Sequence, residues 1–576
     1  MQYTNEKNIL KLIAVMKHHG INKIIASPGT RNISLTGSLQ HDPYFKIYSA
    51  PDERSAAYIA CGMAAESGEP VAITCTGATA SRNYLPGLTE AFYRKLPVLA
   101  ITATMHLASV GQNIPQVLDR STPPKDSVKK SVFIPVIENN NDDWGATVAL
   151  NEAILELKHN GGGPVHINLE TTNSTDFSVS ELPKTRFIDR INLNDKFPDI
   201  PHNKKVAVFV GNHMQWTKEL TEAVEKFCET YNAVVLCDHT SNYHGKYKIM
   251  AALVTRQAQY SPDCTKIDLL IDIGNVSGAY LRLKPKEVWR VNPDGIIRDT
   301  YRALRYIFEM EEISFFQKYI TNYKKSICSY YQDWEKEYNG LLKQIPDLPF
   351  SNIWTAQQLI KKIPESSVVH LGILNTLRSW DFFTAEKNID FYSNTGGFGI
   401  DGPLSAALGG ALAKPDTIHY LVVGDLAFFY DMNALGNRHF PNNIRILLIN
   451  NGVGTEFKNY SHIAAVFGDE ADAYIAARGH YGNKSSKLVR HLAEDFGFKY
   501  MTASDKESFL KKIEEFVMPN SDKPFIFEVF TDSQMESDAL KIIQNLNVSV
   551  EGSTISMVKQ VLGKDNVKKI KRILSK

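Results

Sequence analysis

A chain of 576 residues is too long for a single hydrophobic core, and three or four domains are expected. Its 64 basic and 63 acidic side chains leave a net charge of +1. No global field therefore recruits nucleic acid or an anionic membrane, and the expected partner is a small molecule. The longest apolar stretches, such as residues 444–449, are strand-length and too short to span a bilayer. Glu6 and Lys11 interrupt the amphipathic start, which does not read as a signal peptide. The six cysteines, Cys61, Cys75, Cys228, Cys237, Cys264 and Cys328, are dispersed and form no Cys-x-x-Cys. That favours reduced core thiols in a cytoplasmic protein over disulfides or zinc.

In chain order, residues 7–19 predict a helix, 23–26 a strand, 56–66 a helix of small residues and 71–75 a strand. Residues 83–92 then predict a helix, 98–102 a strand and, after Gly161-Gly162-Gly163, 165–169 another strand. Alternation of this kind predicts a doubly wound parallel sheet, here over a first domain of residues 1–180. Pro183, Pro198 and Pro201 among polar residues mark 181–203 as a linker. A second α/β domain over 204–345 has strands at 206–210, 234–237 and 269–273 and charged, aromatic helices over 308–343. It lacks Gly-x-Gly-x-x-Gly, so no dinucleotide is assigned to it. A third domain over 346–546 takes strands at 368–371, 420–423, 444–449 and 525–530. The basic extension over 547–576 reads as a water-exposed helix. The fold class is α/β, with three doubly wound parallel-sheet domains.

Two apolar runs in the third domain break into residues suited to a metal and a phosphate, and such strand ends are where open α/β sheets bind ligands. Asp425 offers a hard carboxylate, Asn451 an amide oxygen, and the Gly452-Val453-Gly454 turn leaves the Val453 carbonyl free to point inward. Three oxygen ligands suit Mg²⁺ (or Mn²⁺) bridging to a diphosphate. Leu426 and Ala427, opening a helix after Gly424-Asp425, offer N–H groups to an anion. The plainer alternative makes Asp425 only the N-cap of that helix.

The Gly-Asp…Asn-Asn arrangement resembles the signature of thiamine diphosphate enzymes, in which Asp, Asn and a carbonyl hold the divalent ion that anchors the cofactor. Upstream, Ser27-Pro28-Gly29-Thr30-Arg31, Asp52-Glu53-Arg54-Ser55-Ala56-Ala57, Cys75-Thr76-Gly77-Ala78-Thr79 and Asn83-Tyr84-Leu85-Pro86 follow in order. They resemble the pyrimidine-binding domain of the SEPHCHC synthases of menaquinone biosynthesis, and residues 392–402, Tyr-Ser-Asn-Thr-Gly-Gly-Phe-Gly-Ile-Asp-Gly, resemble the diphosphate domain of the same family. The likeness extends to about residue 546. It implies a pyrimidine-binding domain over 1–180, a central domain over 204–345 and a diphosphate-binding domain over 346–546. It makes Glu53 the catalytic glutamate on the aminopyrimidine, where a glutamate at a helix N-terminus is otherwise a dipole partner or cap. Ala78 and Asn83 then border the cofactor, and Phe398 or Ile400 holds it bent. Gly372 to Asn375 supply further diphosphate donors. Ser27 and Arg31 face the substrate, with Arg31 gripping a carboxylate, and Gln116 and Thr395 join them. The resemblance further implies a homodimer or homotetramer with active sites between subunits.

Three positions depart from that family. Met105 and Thr395 stand where it has arginines, and Asn275-Val276-Ser277-Gly278-Ala279-Tyr280 replaces a Lys-Arg pair. Arg82 is a candidate replacement cation. The expectation is therefore a thiamine diphosphate- and Mg²⁺-dependent 2-oxo acid decarboxylase/carboligase that passes an acyl unit to a small acceptor, related to the SEPHCHC synthases without being one. The alternatives are a true SEPHCHC synthase, a 2-oxo acid decarboxylase without carboligation, and a catalytically silent binding protein of the same fold.

Overall fold

The computed structural model describes residues 2–213, 216–321, 323–325, 327–385, 388–480 and 484–548. The basic helix expected within 547–576 thus falls almost wholly outside the described residues. The chain divides into two compact units, one of residues 1–196 with 294–309 and one of residues 197–293 with 310–576.

The first unit carries a parallel sheet of β1 (Lys23–Ala26), β2 (Lys46–Ser49), β3 (Val71–Cys75), β4 (Val98–Thr104), β5 (Lys130–Ile134) and β6 (Val165–Glu170). Their spatial order is β2-β1-β3-β4-β6-β5. Successive strand residues face opposite sides, so each strand feeds two cores. Ile24, Ala72, Leu99 and Ile167 join residues of the helices Lys7–His18 and Asn140–Glu156. Ile25, Ile73 and Ala100 join the helix Glu53–Ser67 through Ala56, Ala57, Ala60 and Ala64. Small residues on that helix admit close neighbours. A Cβ on Gly87 of the helix Leu85–Tyr93 would lie 2.4 Å from the Ala57 Cβ. Gly87→Ala is therefore expected to push the two helices apart and cost about 1–3 kcal/mol in urea unfolding, whereas Gly62→Ala, which meets nothing within 4 Å, should leave stability near the wild-type value.

The stretch expected as a plain linker holds β7 (Asp189–Ile191), which pairs in parallel with a later strand of the same unit, numbered β13 (Leu304–Phe308) below. With one apolar residue in three, β7 has no sequence period of its own. It is defined by its partner and by ion pairs, Asp189 with Arg305 at 2.5 Å and Arg190 with Glu156 at 3.3 Å.

In the second unit β8 (Val206–Val210), β9 (Val234–Cys237), β10 (Lys248–Met250), β11 (Leu269–Ile273) and β12 (Glu287–Val291) lie side by side as β10-β9-β8-β11-β12. A further sheet contains β14 (Val368–Leu371), β15 (Asp390–Tyr392), β16 (His419–Gly424), β17 (Ile444–Asn450), β18 (Lys499–Ala503) and β19 (Phe525–Phe530), ordered β15-β14-β16-β17-β19-β18. This is the strand order of the first sheet over again. In both, the chain reverses direction across the sheet between the first and third strands, and such switch points open a crevice at the strands' carboxyl ends. All ladders among these strands are parallel, as the α/β expectation requires. No helix among the described residues is long and apolar enough to cross a membrane.

Candidate functional site

The switch point of the first sheet lies between the ends of β1 and β3. Ser27 follows β1 and is buried, its N–H donating to the Thr74 carbonyl at 2.9 Å. Gly29 lies so close to the turn after β3 that an added Cβ would meet the Thr76 Cβ at 2.4 Å. Glu53 follows β2 as the first residue of its helix. The capping role belongs to Asp52, whose Oδ1 accepts from Ser55 N–H at 2.9 Å. Glu53 is thereby left half-buried with its carboxylate available, and Asn83 Nδ2 donates to its Oε2 at 3.4 Å. Cys75 and Tyr84 form the buried floor, and burial pushes the Cys75 thiol up to about 12.

Of the expected substrate residues, Arg31 is half-buried with its N–H to Thr76 Oγ1 at 3.4 Å. Arg82 is exposed and donates to the Asp119 carbonyl at 2.6 Å. Gln116 is exposed with φ of 65°, its carbonyl 3.4 Å from where a Gly77 Cβ would stand. Sequence reasoning missed Arg120, which is buried beside the same Gly77 turn. It lies in an irregular Pro-rich stretch where no periodicity marks an inward side chain.

In the second unit the corresponding crevice lies between β14 and β16. Asp425 opens the helix Asp425–Tyr430 but does not serve as its N-cap, a position held by Gly424. Its Oδ1 accepts from Leu426 N–H at 2.8 Å and its Oδ2 reaches across to Gly452 N–H at 2.5 Å, tying the end of β16 to the turn after β17. Leu426 is thus committed to Asp425, and of the two expected anion donors there only Ala427, half-buried, is not spent on it. Asp425 is 5 % exposed, and burial raises its carboxyl to about 6 despite these donors. Among the described residues no cation forms an ion pair with it. Glu536, buried and pushed up to about 7, lies within its field. Glu536 is spent on Asn352 N–H and Thr531 Oγ1, so Asp425 is the hard oxygen ligand here that suits Mg²⁺.

The two asparagines after β17 divide their roles. Asn450 is buried and donates to Glu528 Oε1 at 2.7 Å, a structural bond. Asn451 is half-buried with its Oδ1 beside the Val453 N–H at 3.4 Å, and among the described residues the Val453 carbonyl accepts a long bond from Thr455 Oγ1 at 3.4 Å. Gly372 N–H bonds to the Val422 carbonyl at 2.8 Å, and Asn375 begins the helix Asn375–Trp380. Thr395 is buried, packed with Phe398 against Gly278, whose added Cβ would lie 3.3 Å from Thr395 and 3.5 Å from the Phe398 ring. Gly278 of the 275–280 segment thus packs on Thr395, so two of the three departures from the family lie together. Ile400 is half-buried nearby in sequence.

Three of the fourteen described non-glycine residues with positive φ lie among the expected cofactor-binding positions. Ala78, Leu374 and Phe398 have φ of 57°, 62° and 55°, a region non-glycine residues rarely adopt. Leu374 combines its φ with ψ of −117°, a glycine conformation. Strain of this kind persists where the surroundings over-determine it, and it clusters at ligand sites.

Residues 11–122 match the family described as "Thiamine pyrophosphate enzyme, N-terminal TPP binding domain", and residues 375–529 the corresponding C-terminal TPP binding domain. A 2-succinyl-5-enolpyruvyl-6-hydroxy-3-cyclohexene-1-carboxylate synthase from Bacteroides thetaiotaomicron is 33 % identical over 94 % of this chain and 98 % of its own length. Proteins of the same name from Flavobacterium psychrophilum and Porphyromonas gingivalis are 29 % and 26 % identical, over 91 % and 94 % of this chain and 96 % and 97 % of theirs.

Proposed function

The chain belongs to the thiamine diphosphate enzymes, and from that premise we propose that it is a Mg²⁺-dependent carboligase that decarboxylates a 2-oxo acid and passes the acyl unit to a small acceptor. One observation carries the reading. At the two switch points the chain keeps a glutamate relieved of capping by Asp52 and a buried carboxylate, Asp425, with no cationic partner among the described residues. A protein retained only for its fold has no use for either.

Bound thiamine diphosphate supplies a thiazolium carbon that stabilises the carbanion left by decarboxylation. The residues that would hold it are Ala78, Asn83 and Glu53 at the pyrimidine and Asn375, Gly424, Ala427 and Asn451 at the diphosphate, the Gly372 N–H being spent on the Val422 carbonyl. Asp425, Asn451 and the Val453 carbonyl would hold the metal. Glu53 holds or releases a proton at Oε1 or Oε2, and Asn83 fixes its orientation. Positioned proton transfer of this kind is worth about 10²–10⁴-fold in rate. Phe398, strained and packed on Gly278, is placed to brace the cofactor, and Arg31 to grip a substrate carboxylate.

The exposed Tyr58 and Ile59, on the helix that begins at Glu53, support a homodimer or homotetramer whose subunits share the sites. Six buried free cysteines support a reducing, cytoplasmic setting.

The second reading is the reaction for which the relatives are named, the SEPHCHC synthase reaction. Arg120 favours it, since its Nη2 reaches the Ala103 carbonyl and so brings a buried cation close in sequence to Met105, where the family has an arginine. The two readings separate when the Mg²⁺-loaded holoenzyme is given 2-oxoglutarate with isochorismate, and separately a panel of simple 2-oxo acids such as pyruvate with candidate acceptors. Each lost carboxylate clamp costs about 2–5 kcal/mol, so the first reading expects isochorismate consumption slower by about 10³-fold or more than CO₂ release from the preferred 2-oxo acid. Comparable rates would establish the second reading. Aldehyde release without any ligated product would make the protein a simple decarboxylase.

A further inference from the structure

Arg120 is 6 % exposed, yet no carboxylate among the described residues forms an ion pair with it. Nη2 donates to the Ala103 carbonyl at 3.0 Å, while Nε and Nη1 are buried and bond nothing among the described residues. The charged groups acting on it are Arg82 and Arg31, both cations, and the buried Cys75 thiol is neutral at ordinary pH. His166 below it is fully engaged, one ring nitrogen with Thr102 Oγ1 at 2.7 Å and the other with Ser131 Oγ at 2.9 Å. Burial, with the two arginines Arg120 and Arg82, keeps that imidazole neutral by lowering it to about 3. A guanidinium does not escape burial by losing its proton, and an uncompensated buried charge is strongly destabilising.

A cavity of about 30 Å³ opens on these groups, lined by Ser81, Arg82, Thr102, Arg120, Ser127 and His166 among others. One water needs roughly 10–15 Å³ by this measure, so the space suits about two oxygen-sized atoms. That is the head of one carboxylate.

We propose that this cavity is an oxyanion site, taking one carboxylate or a small inorganic oxyanion of the same size beside the uncompensated charge of Arg120 and the neighbouring Arg82. The site lies behind the turn after β3, with Nη1 at 3.7 Å from where a Gly77 Cβ would be. Its occupant would stiffen the turn that carries Ala78 and leads into the helix ending at Asn83. The carboxylate of a bound 2-oxo acid and a free anion share this chemistry, and the experiment distinguishes them.

The full-length apo protein is melted while sodium formate replaces sodium chloride at constant ionic strength. Wild type and Glu53→Gln are expected to show the same saturable rise in Tm, because the readout is binding and does not need turnover. Arg120→Met is expected to show none and, relieved of its buried charge, to melt higher than wild type without formate. Arg120→Lys, which keeps the charge without the planar donors, should show a weakened rise and serves if the methionine variant does not fold. A KM for the 2-oxo acid raised roughly 30-fold or more in Arg120→Met, with kcat little changed, identifies the occupant as the substrate's own carboxylate. An unchanged KM with the formate response lost identifies a free anion. Absence of a saturable formate response in the wild type overturns the proposal, as does an equal response in wild type and both Arg120 variants.

Discussion

Glu53→Gln is expected to lower turnover of the holoenzyme by about 10²-fold or more while leaving folding and cofactor affinity close to wild type. The amide keeps the size and the hydrogen-bonding reach of the side chain, and Asp52 continues to cap the helix, so only the capacity to hold and release a proton is removed. Steady-state CO₂ release measures the first quantity, and quenching of intrinsic fluorescence by thiamine diphosphate with Mg²⁺ measures the second. Unaltered turnover would show that another group does this work. The companion variant Asp52→Ala separates capping from catalysis. It should cost about 0.5–2 kcal/mol of stability through the lost cap, with turnover reduced far less than in Glu53→Gln.

The second large effect is expected at the other switch point. Asp425→Ala should abolish metal-dependent binding of thiamine diphosphate, because a diphosphate beside an incomplete set of oxygen ligands lacks charge compensation. The variant also loses the bond from Gly452 N–H that ties the β17 turn to β16. Asp425→Asn keeps an oxygen acceptor for that N–H and is the control for the turn. If Asp425→Asn folds normally, melts near the wild type and still fails to bind cofactor with Mg²⁺, the metal role stands. Cofactor affinity that is the same in wild type and variants, and indifferent to Mg²⁺, would remove it.

The long apolar strands were legible because burial on both faces writes itself as β-branched runs. β3, β8, β11, β14 and β19 fall on the expected residues. The short or charged strands were not legible. β2 (Lys-Ile-Tyr-Ser), β7 (Asp-Arg-Ile) and β18 (Lys-Tyr-Met-Thr-Ala) have no internal period, and they become strands only because a neighbouring edge supplies the hydrogen-bond ladder. β5 and β15 escaped notice for the same reason. At the site, Asp425 and Glu53 were readable from the chemistry of their neighbours. Which residue caps each helix was not, since Asp52 and Glu53 are equivalent in sequence until the backbone turns. Arg120 was invisible because burial of a cation in an irregular segment depends on tertiary packing and leaves no mark on spacing. The charge argument built on Met105 and Thr395 weighed Arg82 as a replacement cation and had no signal that would have pointed to Arg120.

The repeated strand order of the first and last sheets also bears on how the protein is made. A parallel ladder cannot grow hairpin by hairpin, because each pairing waits for a crossover connection to close. In both sheets the central pair at the crevice, β1 with β3 and β14 with β16, brings together strands separated by an excursion to the edge and back. Neither crevice exists in any partial fold that has formed only sequence neighbours. Half-folded chains therefore present apolar strand edges before they present a ligand site, and a ligand that binds a finished crevice stabilises only chains already past that stage.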